Sequence, residues 1–250
     1  MTATKRVSAP AAAEKKILIV DDHPMMREGL REVINREPDM RVCGEAANSQ
    51  QAMAVVQKLD PDLALVDVTM PGKSGLELVK DLRVLHPRLM ILAISMHDEA
   101  LYAERMLRAG ASGYITKQQP PAELIAAIRQ VLGNRVYVSR EMSDSLLQRL
   151  AGKAQANHSP MEILTDREFE IFQLIGAGRS PKDIARQLHL SVKTVAVHNA
   201  NIRQKLKIKT TAQMIRFAVQ SEDLQNLGQE DQVPGRVQAK PKAKASPVGA

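Results

Sequence analysis

Short runs of apolar or β-prone residues recur through the first half of the chain, each followed by a segment whose apolar residues return every three or four positions. The runs Ile17–Val20, Arg41–Glu45, Leu63–Val66, Met90–Ile94 and Ser112–Ile115 read as five strands. The segments between them read as helices. Pro24–Glu37 turns Met26, Leu30, Val33 and Ile34 inward, Ser49–Leu59 turns Ala52, Val55, Val56 and Leu59 inward, and Gly75–Leu85 turns Leu78, Val79 and Leu82 inward. A fourth helix covers Glu99–Ala109, and a fifth, starting near Pro121, carries Leu124, Ile125, Ile128 and Val131. The run Leu63–Val66 is apolar on both faces, as a buried strand of a parallel sheet must be. The (βα)5 order predicts an α/β fold, a doubly wound five-stranded parallel sheet with helices on both sides.

The pattern changes after residue 135. Val136–Pro160 holds a helix-like stretch around Met142–Leu150 and then loosens into small and polar residues, which is linker chemistry. Beyond it, strand periodicity is gone. Thr165 with Glu168 forms a capping box before a helix that Gly176-Ala177-Gly178 ends. Ser180-Pro181-Lys182-Asp183 starts a second helix, and Ser191 caps a third, Val192–Leu206, with Val195, Ile202 and Leu206 inward. A fourth follows over Thr211–Val219. The expected organisation is a tail over 1–14, an α/β domain over 15–135, a linker over 136–160, a small all-α domain over 161–222 and a basic tail over 223–250. Both tails lack apolar periodicity and are expected to be disordered.

A chain of 250 residues has room for two cores of this size. Its apolar runs are too short to span a bilayer, and the first thirteen residues lack the apolar segment of a secretory signal. The single cysteine, Cys43, has no internal disulfide partner and reads as an inert strand residue, which suits a reducing cytoplasm. Tryptophan is absent, against an aromatic stacking platform. The net charge of +7 is unevenly spread: residues 15–135 carry 16 basic and 16 acidic side chains, whereas residues 179–216 carry 9 basic side chains against Asp183 alone. The positive field belongs to the second domain, as expected if that domain meets a polyanion.

The first domain collects chemistry at strand ends. Asp21 and Asp22 follow the first strand, Asp67 the third, Ser95 the fourth and Lys117 the fifth. Open α/β sheets bind ligands at this edge. Three converging carboxylates repel one another unless a cation joins them, and their oxygens suit Mg²⁺, which retains open positions for water or phosphate. A nucleophilic carboxylate, a divalent ion, a lysine and a hydroxyl fit the acceptance of a phosphoryl group. Taken singly, each residue has a plainer reading: helix cap, solvated lysine, N-cap serine. A Mg²⁺-dependent phosphohydrolase would also use such an aspartate, but it wants an acid two residues later, where this chain has Thr69.

On Asp21-Asp22-His23-Pro24, Asp67 with Met70-Pro71-Gly72 and Gly75, Ser95, and Gly110 through Tyr114 to Lys117-Gln118-Gln119-Pro120, residues 16–132 resemble the receiver domain of bacterial response regulators. The resemblance implies that Asp67 is the phosphoacceptor and that Asp21, Asp22, Asp67 and the backbone carbonyl of Thr69 hold Mg²⁺. It implies that Lys117 pairs with the phosphoryl group, that Ser95 is the switch hydroxyl and that Tyr114 is an aromatic that turns inward on modification. Residues 162–219 resemble the LuxR-type helix-turn-helix, on Leu164-Thr165 with Arg167-Glu168, Lys182 to Ala185, Leu190-Ser191 with Lys193-Thr194-Val195 and His198, and Ile202 with Lys205-Leu206. The combination is similar to the NarL/FixJ class. By that resemblance Lys193, Thr194, His198 and Lys205, with Lys209 beyond them, contact the DNA backbone, and Ala196, Val197, Asn199 and Ala200 line the base-reading stretch. Relatives often carry lysine where this chain has Ala196, which shifts the burden to thymine methyls or to DNA shape. Lys207 stands where glycine is usual.

The implied function is a DNA-binding regulator without substrate turnover beyond slow self-dephosphorylation. A sensor histidine kinase phosphorylates Asp67, the receiver then forms a homodimer, and the dimer binds double-stranded promoter DNA, with RNA polymerase a further candidate partner and no membrane involved. The alternative is a phosphorylation-independent DNA binder whose receiver serves only dimerisation.

Overall fold

The computed structural model describes residues 14–96, 99–151, 160–210 and 212–218. The expected tails over 1–14 and 223–250 lie outside these residues, save Glu14, as does the polar part of the linker over 152–159. Five strands, β1 (Lys15–Val20), β2 (Met40–Ala46), β3 (Leu63–Asp67), β4 (Met90–Ser95) and β5 (Gly113–Thr116), alternate with α1 (Pro24–Asn35), α2 (Ser49–Leu59), α3 (Gly75–Leu85), α4 (Glu99–Ala109) and α5 (Pro121–Leu132). All pairings are parallel, in the order β2-β1-β3-β4-β5. The expected doubly wound sheet is therefore the one observed.

Alternation along the strands divides the core into two layers. Leu18 and Val20 pack with Val56, Leu78, Leu82 and Met106 from α2, α3 and α4, while Ile17 and Ile19 pack with Leu30, Ile34, Ile128 and Val131 from α1 and α5. Strand β3 is buried at every residue, as its unbroken apolar run requires. Two boundaries differ from the sequence reading for local reasons. Helix α1 stops at Asn35, whose side-chain oxygen accepts the Val42 N–H at 2.8 Å and turns the chain into β2. Strand β2 carries a bulge: Ile17 faces Val42 and Leu18 faces Gly44, so Cys43 is the extra residue. Burial raises the Cys43 thiol, in keeping with an inert role.

The connection out of the first domain adds to the sheet. Tyr114 N–H donates to Tyr137 O (2.9 Å) and Tyr137 N–H donates to Ser112 O (3.1 Å), so the start of the linker lies along the free edge of β5. The Tyr137 hydroxyl donates to Glu123 of α5, and Ser139 N–H donates to Glu99 of α4, before α6 (Arg140–Leu150) begins.

A 3₁₀ turn, Pro160–Ile163, opens the second domain. Three helices follow, α7 (Asp166–Gly176), α8 (Pro181–Gln187) and α9 (Val192–Lys205), and residues 212–218 form α10. Thr165, Ser180 and Ser191 each accept a hydrogen bond from the backbone of the third residue of their helix, and Thr165–Glu168 completes the capping box. Phe169, Phe172, Ile184, Val195, Ile202 and Met214 form the core. The turn joining α8 to α9 passes through His189 at φ 52°, and α9 is followed by Lys207 at φ 55°, both in the left-handed region where glycine is at ease.

Gly75 shows how tightly α3 is tied to the end of β3. Its N–H donates to Val68 O at 3.0 Å, and a Cβ there would lie 2.0 Å from Asp67 O. Gly75→Ala must push α3 away from β3, and urea unfolding is expected to show a loss of about 1–3 kcal/mol.

Candidate functional site

Parallel register brings the ends of β1, β3, β4 and β5 to one edge, and the chemistry anticipated there is assembled. Asp21 is fully buried, held from both sides: its Oδ1 accepts the His23 N–H at 2.8 Å and its carbonyl accepts Arg27 Nη1 at 2.6 Å. Asp67 is buried, with Oδ1 accepting the Thr69 N–H at 3.3 Å. Lys117 reaches across from the end of β5, its Nζ 2.7 Å from Asp21 Oδ2 and 2.9 Å from Asp67 Oδ2. Only 3 % of its side chain is exposed. The Lys117 N–H donates to Ser95 O at 2.7 Å, which fixes where the lysine leaves the sheet.

Charge in this pocket is unbalanced. Burial raises Asp67 to about 6, with Asp21 pushing the same way and Lys117 opposing. Burial also works against the Lys117 ammonium, but hydrogen bonds to Asp21 and Asp67 hold its pKa above the usual lysine value. Asp21, Asp22, His23 and Asp67 each offer a ligand atom within 4.8 Å of the others. That donor set, mostly carboxylate oxygen with one partly solvated face, fits a hard divalent ion. His23 is the addition the sequence did not single out. It entered the sequence reading within the receiver motif but not as a ligand, and its Nδ1 lies 3.1 Å from Asp22 Oδ1.

Ser95 and Tyr114 are fully buried. Tyr114 is thus already turned inward in this conformation. The Thr69 side chain is exposed at the rim.

In the second domain Lys193, Ala196, Val197, Ala200 and Lys209 are exposed, while Thr194, His198 and Asn199 are half-buried on the flanks of α9. His198 Nδ1 and Asn199 Oδ1 are shielded from solvent. Lys205 is engaged within the domain, its Nζ 2.6 Å from the buried Glu168 carboxylate. Burial opposes the charge on Glu168, and Lys205 with Thr165 holds it below the usual range.

The two domains touch through groups that sequence reasoning left unassigned. Arg105 of α4 donates to Met161 O (2.6 Å), Leu164 O (3.1 Å) and Asp166 Oδ1 (3.0 Å), and its guanidinium lies 4.3 Å from the Phe169 ring centre. Lys80 of α3 also pairs with Asp166. Tyr102 meets Phe169 edge-on, with ring centres 5.1 Å apart. In the loop after Asp67, Gly72 N–H donates to Gln187 O at 2.8 Å, and Gly72 (φ 81°) leaves room for the His189 ring, which a Cβ would meet at 2.6 Å. The loop beside the acidic pocket therefore bonds directly to the turn of the helix-turn-helix.

Residues 17–129 match the response regulator receiver domain, and residues 162–218 match the luxR family of bacterial regulatory proteins. The chain is 36 % identical over 216 residues to the oxygen regulatory protein NreC of Staphylococcus epidermidis, covering 84 % of this chain and 99 % of that protein. It is 36 % identical over 196 residues to the nitrate/nitrite response regulator protein NarL of Escherichia coli K12, covering 78 % and 90 %. Its fold is similar to RcsB of Salmonella enterica solved on promoter rprA with the phosphomimetic BeF3⁻, with a TM-score of 0.61, 24 % identity, and 82 % and 98 % of the two chains covered. Receiver, DNA-binding domain and full-length relatives agree, and the chain belongs to the DNA-binding response regulators of two-component systems, in the NarL/FixJ class.

Proposed function

We propose that the chain is a phosphorylation-controlled transcription regulator in which Asp67 accepts a phosphoryl group from a sensor histidine kinase. The observation that carries this reading is the buried Lys117 ammonium spanning Asp21 and Asp67 at the strand ends. Asp67 Oδ attacks phosphorus as the bond to the donor imidazole breaks, leaving an acyl phosphate on the chain. Asp21, directly or through water, with Asp22, Asp67 and the Thr69 carbonyl, would hold Mg²⁺, whose charge offsets that of the phosphoryl oxygens. Lys117 exchanges its Asp67 contact for a phosphoryl oxygen, and the Ser95 hydroxyl donates to another. Thr69 stands two residues after Asp67, where a phosphohydrolase carries its acid, so hydrolysis of the acyl phosphate is expected to be slow. A kinase donor and a promoter target put the protein in the cytoplasm.

The dock between the domains gives this chemistry a route to DNA. The Asp67 loop holds the α8–α9 turn through Gly72, and α4 holds the entrance to α7 through Arg105. Modification that moves the loop or α4 weakens both attachments. The freed helix-turn-helix domains then meet paired half-sites as a dimer. Lys193, Thr194, His198, Lys205 and Lys209 would position α9 on the backbone, Lys205 after leaving Glu168, while Ala196, Val197, Asn199 and Ala200 would face or flank the bases.

Three outcomes follow. Acetyl phosphate with Mg²⁺ should give a base-labile adduct at Asp67, read by mass spectrometry and absent from Asp67→Asn; no adduct on the folded protein would favour the phosphorylation-independent reading, and sustained release of phosphate from phosphomonoesters would favour a hydrolase. Lys117→Ala leaves two buried carboxylates facing each other and should cost about 3–5 kcal/mol of stability without metal, a deficit that added Mg²⁺ narrows in thermal unfolding. Arg105→Ala should loosen the dock. The unphosphorylated variant is then expected to bind promoter DNA roughly five- to tenfold more tightly, with faster protease cleavage in the linker.

A further inference from the structure

The outward face of α9 is two neighbouring rows of side chains at four-residue spacing, Val192, Ala196 and Ala200 in one and Lys193, Val197 and Asn201 in the other, all exposed. Val192 is 46 % and Val197 54 % exposed, although Val195 and Ile202 on the same helix are buried. The receiver, docked on α7 and on the turn before α9, leaves these rows uncovered. The face is alkyl at its centre and set in a positive field, with 9 basic side chains against Asp183 over residues 179–216. That pairing of apolar centre and cationic surround suits the major groove, into which the second helix of this motif fits.

Within the groove the chemistry narrows further. Guanine shows two acceptors and is read by arginine or lysine, whereas thymine shows a methyl group that alkyl side chains cover. The only cation in the two rows is Lys193, in the first turn. Asn199, anticipated as a base reader, is half-buried with its Oδ1 shielded, whereas Asn201 is exposed one turn beyond Val197 and carries the donor–acceptor pair that matches adenine. The minor-groove form of shape readout places a cation in a narrow groove, which methyl groups on a major-groove helix do not supply.

We infer that Ala196, Val197 and Ala200 select thymine methyl groups, so that each half-site carries a run of A·T pairs opposite α9. The rise from Val192 to Ala200 is about 12 Å, or roughly three to four base-pair steps. This rests on the DNA-binding reading above and names what that surface selects.

The test uses the full chain with acetyl phosphate and Mg²⁺. Duplexes are selected from a random pool, and the winner is rebuilt with deoxyuridine at the thymines or 7-deazaguanine at the guanines. Removing each contacted methyl should weaken binding about fourfold, and Val197→Ala should erase the penalty at its own thymine. Ala196→Lys should shift selection towards guanine at the facing position. Enrichment of a site that binds equally well with deoxyuridine, or that suffers more from 7-deazaguanine opposite α9, overturns this inference alone. No enrichment of any sequence overturns it together with the promoter-binding reading.

Discussion

Two carboxylates and an ammonium sealed at one edge of a parallel sheet are the constraint from which the rest of this molecule follows. Asp21 and Asp67 lie close enough to raise each other's energy, and Lys117 is the protein's own answer to that repulsion. Where no other cation enters the pocket, the lysine offsets that repulsion by spanning both. A divalent ion or a phosphoryl group changes the charge the lysine must serve, so the pocket has more than one way to balance itself. A balance that can be struck in two ways, with backbone attached to each member, is what a switch requires.

The backbone attached to this pocket leads outward by short routes. From Asp67 the chain passes through Thr69 and Met70 to Gly72, whose N–H is bonded to the carbonyl of Gln187 in the second domain. From Lys117 it passes by way of Ser95 O into β4, and then to α4, whose Tyr102 and Arg105 grip Phe169 and the 3₁₀ turn. The apolar layer beneath α4 continues without a break through Tyr102 and Phe169 into the core of the DNA-binding domain, so the two cores behave as one packed body while docked.

Much of this could be read from sequence because it follows from period and position. The strand runs, the inward helix faces and the three serine or threonine caps are local properties, and the pocket residues stand out because each ends a strand. What stayed hidden depended on surfaces meeting. Arg105, Lys80 and Asp166 have the look of solvated helix residues, and nothing local shows that Arg105 gathers two carbonyls and a carboxylate. On α9 the inward Val195 and Ile202 and the outward Ala196, Val197 and Ala200 were legible, whereas nothing local shows that Asn199 is half-buried with its Oδ1 shielded. Tyr137 looked like the start of a linker, and the residues over which it pairs are too few to read as a strand.

That pairing has an effect on the fate of the chain at high concentration. An open sheet has two outer strands whose unpaired amides invite another molecule to add on. Here Tyr137 closes the β5 side with hydrogen bonds, and the Cys43 bulge twists the β2 side out of line. With both edges blunted in this way the sheet is kept from joining neighbours edge to edge, and any self-association is left to helix surfaces, where it can end at two.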